Sequence, residues 1–183
     1  MLIKAGIAAV ITLAIIATSL QISLPPRPRV LYNPSPSAPI GWYRLAPQTT
    51  VNTGDRVAAF APDWARKLAD ERDYLPFDYP LIKSVMAVSG DQVCYNTHSV
   101  SVPNGVVIPL LVRDRSARDM PKRFSGCVTL VDGDIWIASP DVPTGFDSRY
   151  FGPIGHENVL GKVVYLGNIK DPETRKIRGF KGE

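Results

Sequence analysis

Two serines in a proline-rich stretch are the residues of this chain most suggestive of covalent chemistry. Ser35 and Ser37 lie in NPSPSAPIGWY, residues 33–43, where prolines at alternate positions restrict the backbone and predict an extended path. A serine hydroxyl is a weak nucleophile until a neighbouring base removes its proton. The stretch is therefore either a stiff linker or the holder of a reactive serine, and the choice depends on finding a base.

Lys83 is the best candidate for that base. It lies in LIKSVMAV, residues 81–88, which predicts a strand that is apolar on both faces except at Lys83 and Ser84. Such a strand is usually covered on both sides, and burial lowers the pKa of a lysine because it disfavours the ammonium. A lysine in that setting can act as a neutral general base. The alternative is a stem that extends to carry the ammonium into solvent.

Histidine is the more common partner of a reactive serine, and the chain has two histidines. His98 lies in NTHS and His156 in GHEN, both of which predict turns, and neither stretch carries a motif of a Ser-His-Asp triad. Because a serine–lysine pair is a known variant of the triad, the sequence favours Lys83. A Ser-His hydrolase remains the alternative.

Composition excludes several other classes of protein. The 183 residues carry a net charge of +4 without a run of lysine or arginine, which argues against a nucleic-acid partner. The two cysteines, Cys94 and Cys127, have no companion cluster of histidine or cysteine, so a zinc site is not expected. In an oxidising compartment the two would form a disulfide, and the alternative is two separate buried thiols.

The N-terminal run predicts how the chain is divided. No charged residue occurs between Ala5 and Pro26, which is enough for a transmembrane helix, with a removable signal peptide as the alternative. We therefore divide the chain into an anchor or signal segment at residues 1–25, a domain at 26–169 that lies outside the cytoplasm, and a polar tail at 170–183.

Short strands with closely spaced turns predict a mainly β fold for the domain, as a barrel or a coiled antiparallel sheet. One helix is predicted at residues 63–73, with Asp63 as its cap and with Trp64, Leu68 and Tyr74 on one side. The charged stretch at residues 113–123 predicts only a solvated loop. Strands are predicted at residues 41–45, 53–60, 81–88, 92–95, 99–102, 106–111, 127–130, 134–139 and 159–166.

Taken in order, these motifs resemble type I signal peptidases, a family of membrane-bound peptidases with a serine–lysine dyad. The resemblance rests on the run around Ser37, on Lys83 followed by Gly90-Asp91, and on DSRYFGP at residues 147–153. Within the family it is closest to the TraF-type enzymes of conjugative transfer, because residues 37–43 read Ser-x-Pro-x-Gly-x-Tyr. The Ser-Met-x-Pro pattern of the housekeeping enzymes is absent.

The resemblance implies a role for each matched residue. Ser37 corresponds to the nucleophile, Lys83 to the general base, and Ser35 to a hydroxyl that helps the backbone N–H of Ser37 form the oxyanion hole. Asp147 corresponds to an aspartate that supports the site, and the Ser148 and Arg149 that follow it are expected to be structural.

One position departs from the family pattern. Housekeeping enzymes have a serine two residues before the aspartate, where its hydroxyl contacts the lysine ammonium. Gly145 occupies that position here, and Thr144 beside it is the candidate replacement.

The resemblance also implies a function. It predicts a coiled antiparallel fold whose exposed edge binds a precursor peptide as an added strand, without a metal or cofactor. The substrate would be an exported precursor, most specifically a conjugative pilin, which some TraF-type enzymes also cyclise. The enzyme would lie in the inner membrane with its catalytic domain facing the periplasm, alongside the conjugative transfer machinery. The alternative is a non-catalytic envelope protein that assembles such machinery.

Overall fold

The strands confirm a mainly β fold. The computed structural model describes residues 2–23, 29–46, 50–121 and 125–168, and the predicted tail at 170–183 lies outside them. In chain order the strands are β1 (Val30–Asn33), β2 (Gly41–Leu45), β3 (Arg56–Ala59), β4 (Leu81–Val88), β5 (Gln92–Tyr95), β6 (Ser99–Ser101), β7 (Val107–Pro109), β8 (Gly126–Thr129), β9 (Asp134–Ala138), β10 (Ile154–Gly155) and β11 (Val159–Gly167).

The strands form two antiparallel sheets. The larger sheet has the order β1-β2-β11-β3-β4-β9-β10, and the smaller has the order β7-β6-β5-β8. Shifts of register interrupt the larger sheet in β4 and twice in β11, and such bulges increase the local twist of a sheet. The strand of Lys83, β4, therefore lies between β3 and β9 in the interior of a curled sheet.

Among the described residues, three α-helices accompany the sheets, α1 (Leu2–Ser23), α2 (Asp63–Glu71) and α3 (Ser148–Phe151), together with a 3-10 helix at His156–Asn158. The predicted helix at residues 63–73 is confirmed as α2, but two of its details were wrong. Pro62 is the N-cap and Asp63 lies in the first turn, and Trp64 is 48% exposed. The packed side contains Ala65 and Ala69, and the predicted Leu68 and Tyr74 pack against the same core cluster.

The part of the uncharged N-terminal run that the structure describes, residues 5–23, lies in α1. Over the part of the chain that the structure describes, no helix combines the length and hydropathy needed to cross a membrane. The prediction of a transmembrane helix at residues 1–25 is therefore not confirmed.

Both faces of β4 are covered, as its apolar pattern predicted. Val85 belongs to a core cluster that contains Ala65 and Ala69 of α2. Ile82, on the opposite face, packs with a second cluster that contains Leu31 and Tyr43. The first half of β4 is consequently covered by apolar residues on both faces.

The predicted disulfide is confirmed. Cys94 on β5 and Cys127 on β8 lie directly opposite each other in the smaller sheet and are bonded. The bridge therefore joins two strands that are already hydrogen-bonded neighbours.

Candidate active site

The proline-rich stretch forms the serine loop, residues 34–40, which connects β1 to β2. It turns at Pro36 and Ser37, whereas the alternating prolines had predicted an extended path. The cause is Asn33, whose buried side-chain amide donates to the carbonyls of Ser35 at 2.8 Å, Ala38 at 3.0 Å and Pro39 at 3.2 Å. Because one amide gathers three carbonyls, the chain curls around it.

Tyrosines of the larger sheet hold the other end of the serine loop. The hydroxyl of Tyr43 donates to the carbonyl of Pro39 at 2.7 Å, and that of Tyr165 donates to the carbonyl of Ile40 at 3.0 Å. At Gly41, φ is +147° and an added Cβ would lie 2.5 Å from the carbonyl oxygen of Gly167. The glycine and the tyrosine of the Ser-x-Pro-x-Gly-x-Tyr run thus let β11 approach and fix the loop.

Ser35 and Ser37 are in contact at the tip of the serine loop. The Ser35 hydroxyl donates to the Oγ atom of Ser37 at 3.0 Å, and the backbone N–H of Ser37 donates to the Oγ atom of Ser35 at 3.3 Å. The two groups expected to form the oxyanion hole are therefore bonded to each other in this structure.

Lys83 is buried. It is only 2% exposed, so its ammonium does not reach solvent. Burial lowers the pKa of Lys83 to about 8, against the opposing attraction of the Asp147 carboxylate and with added repulsion from Arg149. A substantial fraction of this lysine is consequently neutral just above neutral pH.

Ser139 links Lys83 to the serine loop, a role that the sequence analysis missed. The Nζ atom of Lys83 donates to the Oγ atom of Ser139 at 3.2 Å, and that hydroxyl donates to the carbonyl of Ser37 at 2.5 Å. The pairing of Ser84 with Ala138 places the next residue, Ser139, across from Lys83. Only the pairing of β4 with β9 could have revealed this contact from the sequence.

The structure also explains the glycine at the position of the family serine. An added Cβ at Gly145 would lie 2.5 Å from Nη2 of Arg149 and 3.0 Å from Oδ2 of Asp147. Thr144, the candidate replacement, instead accepts a hydrogen bond from Nη2 of Arg115 at 3.0 Å. In this chain the hydroxyl that contacts the lysine comes from Ser139.

Asp147 and Arg149 form a buried ion pair behind the site. Both are fully buried, and the carboxylate accepts from Nε of Arg149 at 2.7 Å and from Nη2 at 2.8 Å. The same carboxylate accepts the backbone N–H of Ser139 at 3.1 Å, while the Ser148 hydroxyl accepts the N–H of Ile137 at 3.0 Å. The DSR motif therefore fixes the end of β9 and, with it, Ser139.

A cleft of about 660 Å³ contains both Ser37 and Lys83. Its lining also includes Ser35, the segment 142–146 and residues of the charged loop near 111–120. His98 and His156 are exposed, and neither belongs to the lining. Among the described residues, Lys83 shares the cleft with the serines and neither histidine does, which disfavours the Ser-His alternative.

Comparison with known proteins agrees with this arrangement. The family model described as "Signal peptidase, peptidase S26" matches residues 2–166. The chain belongs to the signal peptidase S26 family. The match includes the serine loop, β4 and the DSR motif.

Similar proteins are named for plasmid or conjugal transfer. The chain is 33% identical over 141 residues to the plasmid transfer protein TraF of Escherichia coli, covering 70% of this chain and 77% of that protein. It is 36% identical over 141 residues to the probable conjugal transfer protein TraF of Sinorhizobium fredii (strain NBRC 101917 / NGR234), covering 70% and 72%. A signal peptidase I crystal structure from Enterococcus faecalis V583 aligns at 17% identity and a TM-score of 0.38, covering 64% of this chain and all of that one.

Proposed function

We propose that this S26 protein is a serine endopeptidase in which Ser37 is the nucleophile and Lys83 the general base. The observation that carries the proposal is the burial of Lys83, with its lowered pKa, in the cleft that also contains Ser37. A buried lysine without a chemical task is costly, because desolvation of the ammonium opposes folding. The link through Ser139 supports a fixed separation between the two residues.

The proposed reaction begins when the Ser37 hydroxyl turns from Ser35 and gives its proton to neutral Lys83. The Oγ atom of Ser37 then attacks the scissile carbonyl, and the N–H of Ser37 and the hydroxyl of Ser35 stabilise the oxyanion once they part from each other. The Lys83 ammonium protonates the departing amine, which leaves an acyl ester on Ser37. Lys83 next deprotonates a water molecule, whose oxygen attacks the ester carbonyl. The bond to Oγ of Ser37 breaks, the new carboxyl end is released, and the Lys83 ammonium returns the proton to Ser37.

The relatives support a substrate connected with conjugation. We propose an exported precursor, specifically a pilin precursor, and a peptidase domain at residues 26–169 that acts beside the conjugative transfer machinery. The disulfide supports a domain that faces the periplasm, because such bonds persist in oxidising compartments. A position at the inner membrane is the corresponding proposal for location.

Co-expression with candidate pilin precursors tests the function. Mass spectrometry should detect a shortened pilin with the wild-type chain and only the precursor with Ser37→Ala. Unprocessed precursor in both samples, for every candidate pilin precursor, would contradict the proposal. If both chains nevertheless co-purified with the transfer machinery, the result would favour the non-catalytic assembly protein.

A further inference from the structure

One wall of the cleft comes from the charged loop that the sequence analysis described only as solvated. Asp114 is the centre of that wall, with a side chain that is 7% exposed. Its carboxylate accepts from the Tyr74 hydroxyl at 2.5 Å, from Nε of Arg118 at 2.7 Å, and from the backbone N–H of Ser116 at 2.8 Å. Because Tyr74 lies outside the loop and Ser116 and Arg118 lie within it, these bonds fix the path of the loop along the cleft.

The wall carries more arginines than carboxylates. Four arginines and two aspartates line the cleft, in addition to Lys83: Arg72, Arg113, Arg115, Arg118, Asp73 and Asp114. Asp114 pairs with both Arg118 at 2.7 Å and Arg72 at 3.8 Å, and Arg113 pairs with Asp119 at 3.3 Å. Among the described residues, Arg115 is the cleft arginine that has no carboxylate within ion-pair distance.

Arg115 is held at the rim of the cleft. Its Nη2 atom donates to the hydroxyl of Thr144 at 3.0 Å, two residues before Phe146 on the segment that leads to Asp147. The bond orients the guanidinium between the charged loop and the segment 142–146, both of which line the cleft. A guanidinium has five N–H donors, so most of them remain available to a ligand.

We propose that Arg115 is a subsite for a carboxylate of the polypeptide that occupies the cleft, the side chain of an aspartate or glutamate near the scissile bond. A planar guanidinium suits this ligand because it can donate two parallel hydrogen bonds to a carboxylate. The network around Asp114 holds the wall in place beforehand, which reduces the entropy lost on binding. The inference rests on the proposed function, since it takes the occupant of the cleft to be the substrate.

Peptide binding to the non-cleaving Ser37→Ala chain tests the subsite. The probes are short fluorescent alanine-rich peptides in which one glutamate is moved along the sequence, each with a twin that has glutamine in its place. We expect at least one glutamate peptide to bind more tightly than its twin, and added Arg115→Gln to weaken that peptide about five- to tenfold while leaving the twin unchanged. Arg44→Gln, on β2 and outside the cleft lining, is the matched control and should change neither affinity.

Charge reversal sharpens the test. Arg115→Glu should bind the lysine version of the preferred peptide more tightly than the glutamate version. Equal binding of every glutamate peptide and its twin by the Ser37→Ala chain overturns the subsite, and so does an equal loss from Arg115→Gln and Arg44→Gln.

The proposed function is judged separately, from cleavage. If the wild-type chain cleaves none of the preferred peptides or pilin precursors but the glutamate preference persists, the peptidase proposal fails and the carboxylate subsite stands. If the wild-type chain cleaves a precursor but shows no glutamate preference, the peptidase proposal stands and the carboxylate subsite fails.

Discussion

Lys83 and Ser37 are separated in sequence and share one cleft, so each should be needed for processing on its own. Ser37→Ala removes the proposed nucleophile and Lys83→Met removes the base, and each should abolish precursor cleavage while leaving the circular dichroism spectrum unchanged. His98→Ala and His156→Ala are the controls and should retain activity, because both histidines are exposed and outside the cleft lining. Near-normal processing by Lys83→Met would contradict the dyad.

The buried state of Lys83 predicts two separate responses to pH. Since the base must be neutral, kcat/KM should rise with pH and level off above about 8. The pKa of Lys83 is lower in the folded chain, so the unfolded chain binds more protons between about 8 and 10.5. The contribution of Lys83 to the free energy of unfolding therefore increases as pH rises through that range.

Removing the charge of Lys83 should reveal how much desolvation of its ammonium costs at neutral pH. Lys83→Met should raise the free energy of unfolding at pH 7 by about 1–3 kcal/mol, measured by urea denaturation, because no ammonium is desolvated. The gain should shrink as pH approaches 10. A variant that is less stable than the wild-type chain at pH 7 would mean that the contacts of Lys83 outweigh its desolvation.

Ser139 is predicted to be a positioning residue. Ser139→Ala leaves the carbonyl of Ser37 and the Nζ atom of Lys83 without their shared partner, and should lower kcat about tenfold or more and shift the pH–rate profile. Ser139→Thr, which keeps the hydroxyl, should recover most of the activity. Ser99→Ala, on β6 and outside the cleft lining, is the structural control: it loses the hydrogen bond that Ser99 accepts from Asn96 but should leave the midpoint of the profile unchanged.

Gly145→Ser tests whether Ser139, and not the residue at position 145, supplies the hydroxyl that contacts Lys83. It restores the residue found in housekeeping enzymes, yet its Cβ would collide with the Asp147–Arg149 pair and should lower stability by about 1–3 kcal/mol. Recovery of activity when Gly145→Ser is added to Ser139→Ala would show that the family position can serve the lysine after all.

At the scale of the elements, the smaller sheet is predicted to stabilise the fold without taking part in cleavage. Cys94 and Cys127 are 33 residues apart, so replacing both with serine should cost about 3–4 kcal/mol of unfolding free energy in the chain-entropy account. Neither cysteine lines the cleft, and kcat should be retained below the melting temperature. Thiol labelling of the unreduced, denatured protein checks the bond directly, and two labelled cysteines would refute it.

The sequence could predict a structural feature when its cause lay within one short segment of the chain. The covering of β4 followed from alternation within eight residues, and the disulfide from an isolated pair of cysteines. Ser139 was missed because its contact depends on β9 pairing with β4, which no local pattern encodes. The turn of the serine loop and the contacts of Asp114 were missed for a related reason. A pattern of prolines or of charges does not show which side-chain amide or hydroxyl will form hydrogen bonds with that segment.

At the scale of the whole molecule, the fate of the proposed acyl ester distinguishes a hydrolytic endopeptidase from a cyclising one. We expect both cleavage and cyclisation of a short pilin, because an amine held in the cleft can attack the ester in place of water and Lys83 can deprotonate either. Cyclisation makes the mature pilin lighter by one water than the linear cleaved chain, which the intact mass reveals. A linear mass with a free carboxyl end would leave a hydrolytic endopeptidase.

The contact between Ser35 and Ser37 has a consequence for how the protein behaves at rest. While the Ser35 hydroxyl is bonded to both the Oγ atom and the N–H of Ser37, the nucleophile and its oxyanion donor are each occupied. A small electrophile supplies little binding energy to separate the two serines, whereas a substrate that fills the cleft supplies more. If Ser37 is the nucleophile, we therefore expect it to react slowly with small electrophiles and to become reactive once a polypeptide occupies the cleft.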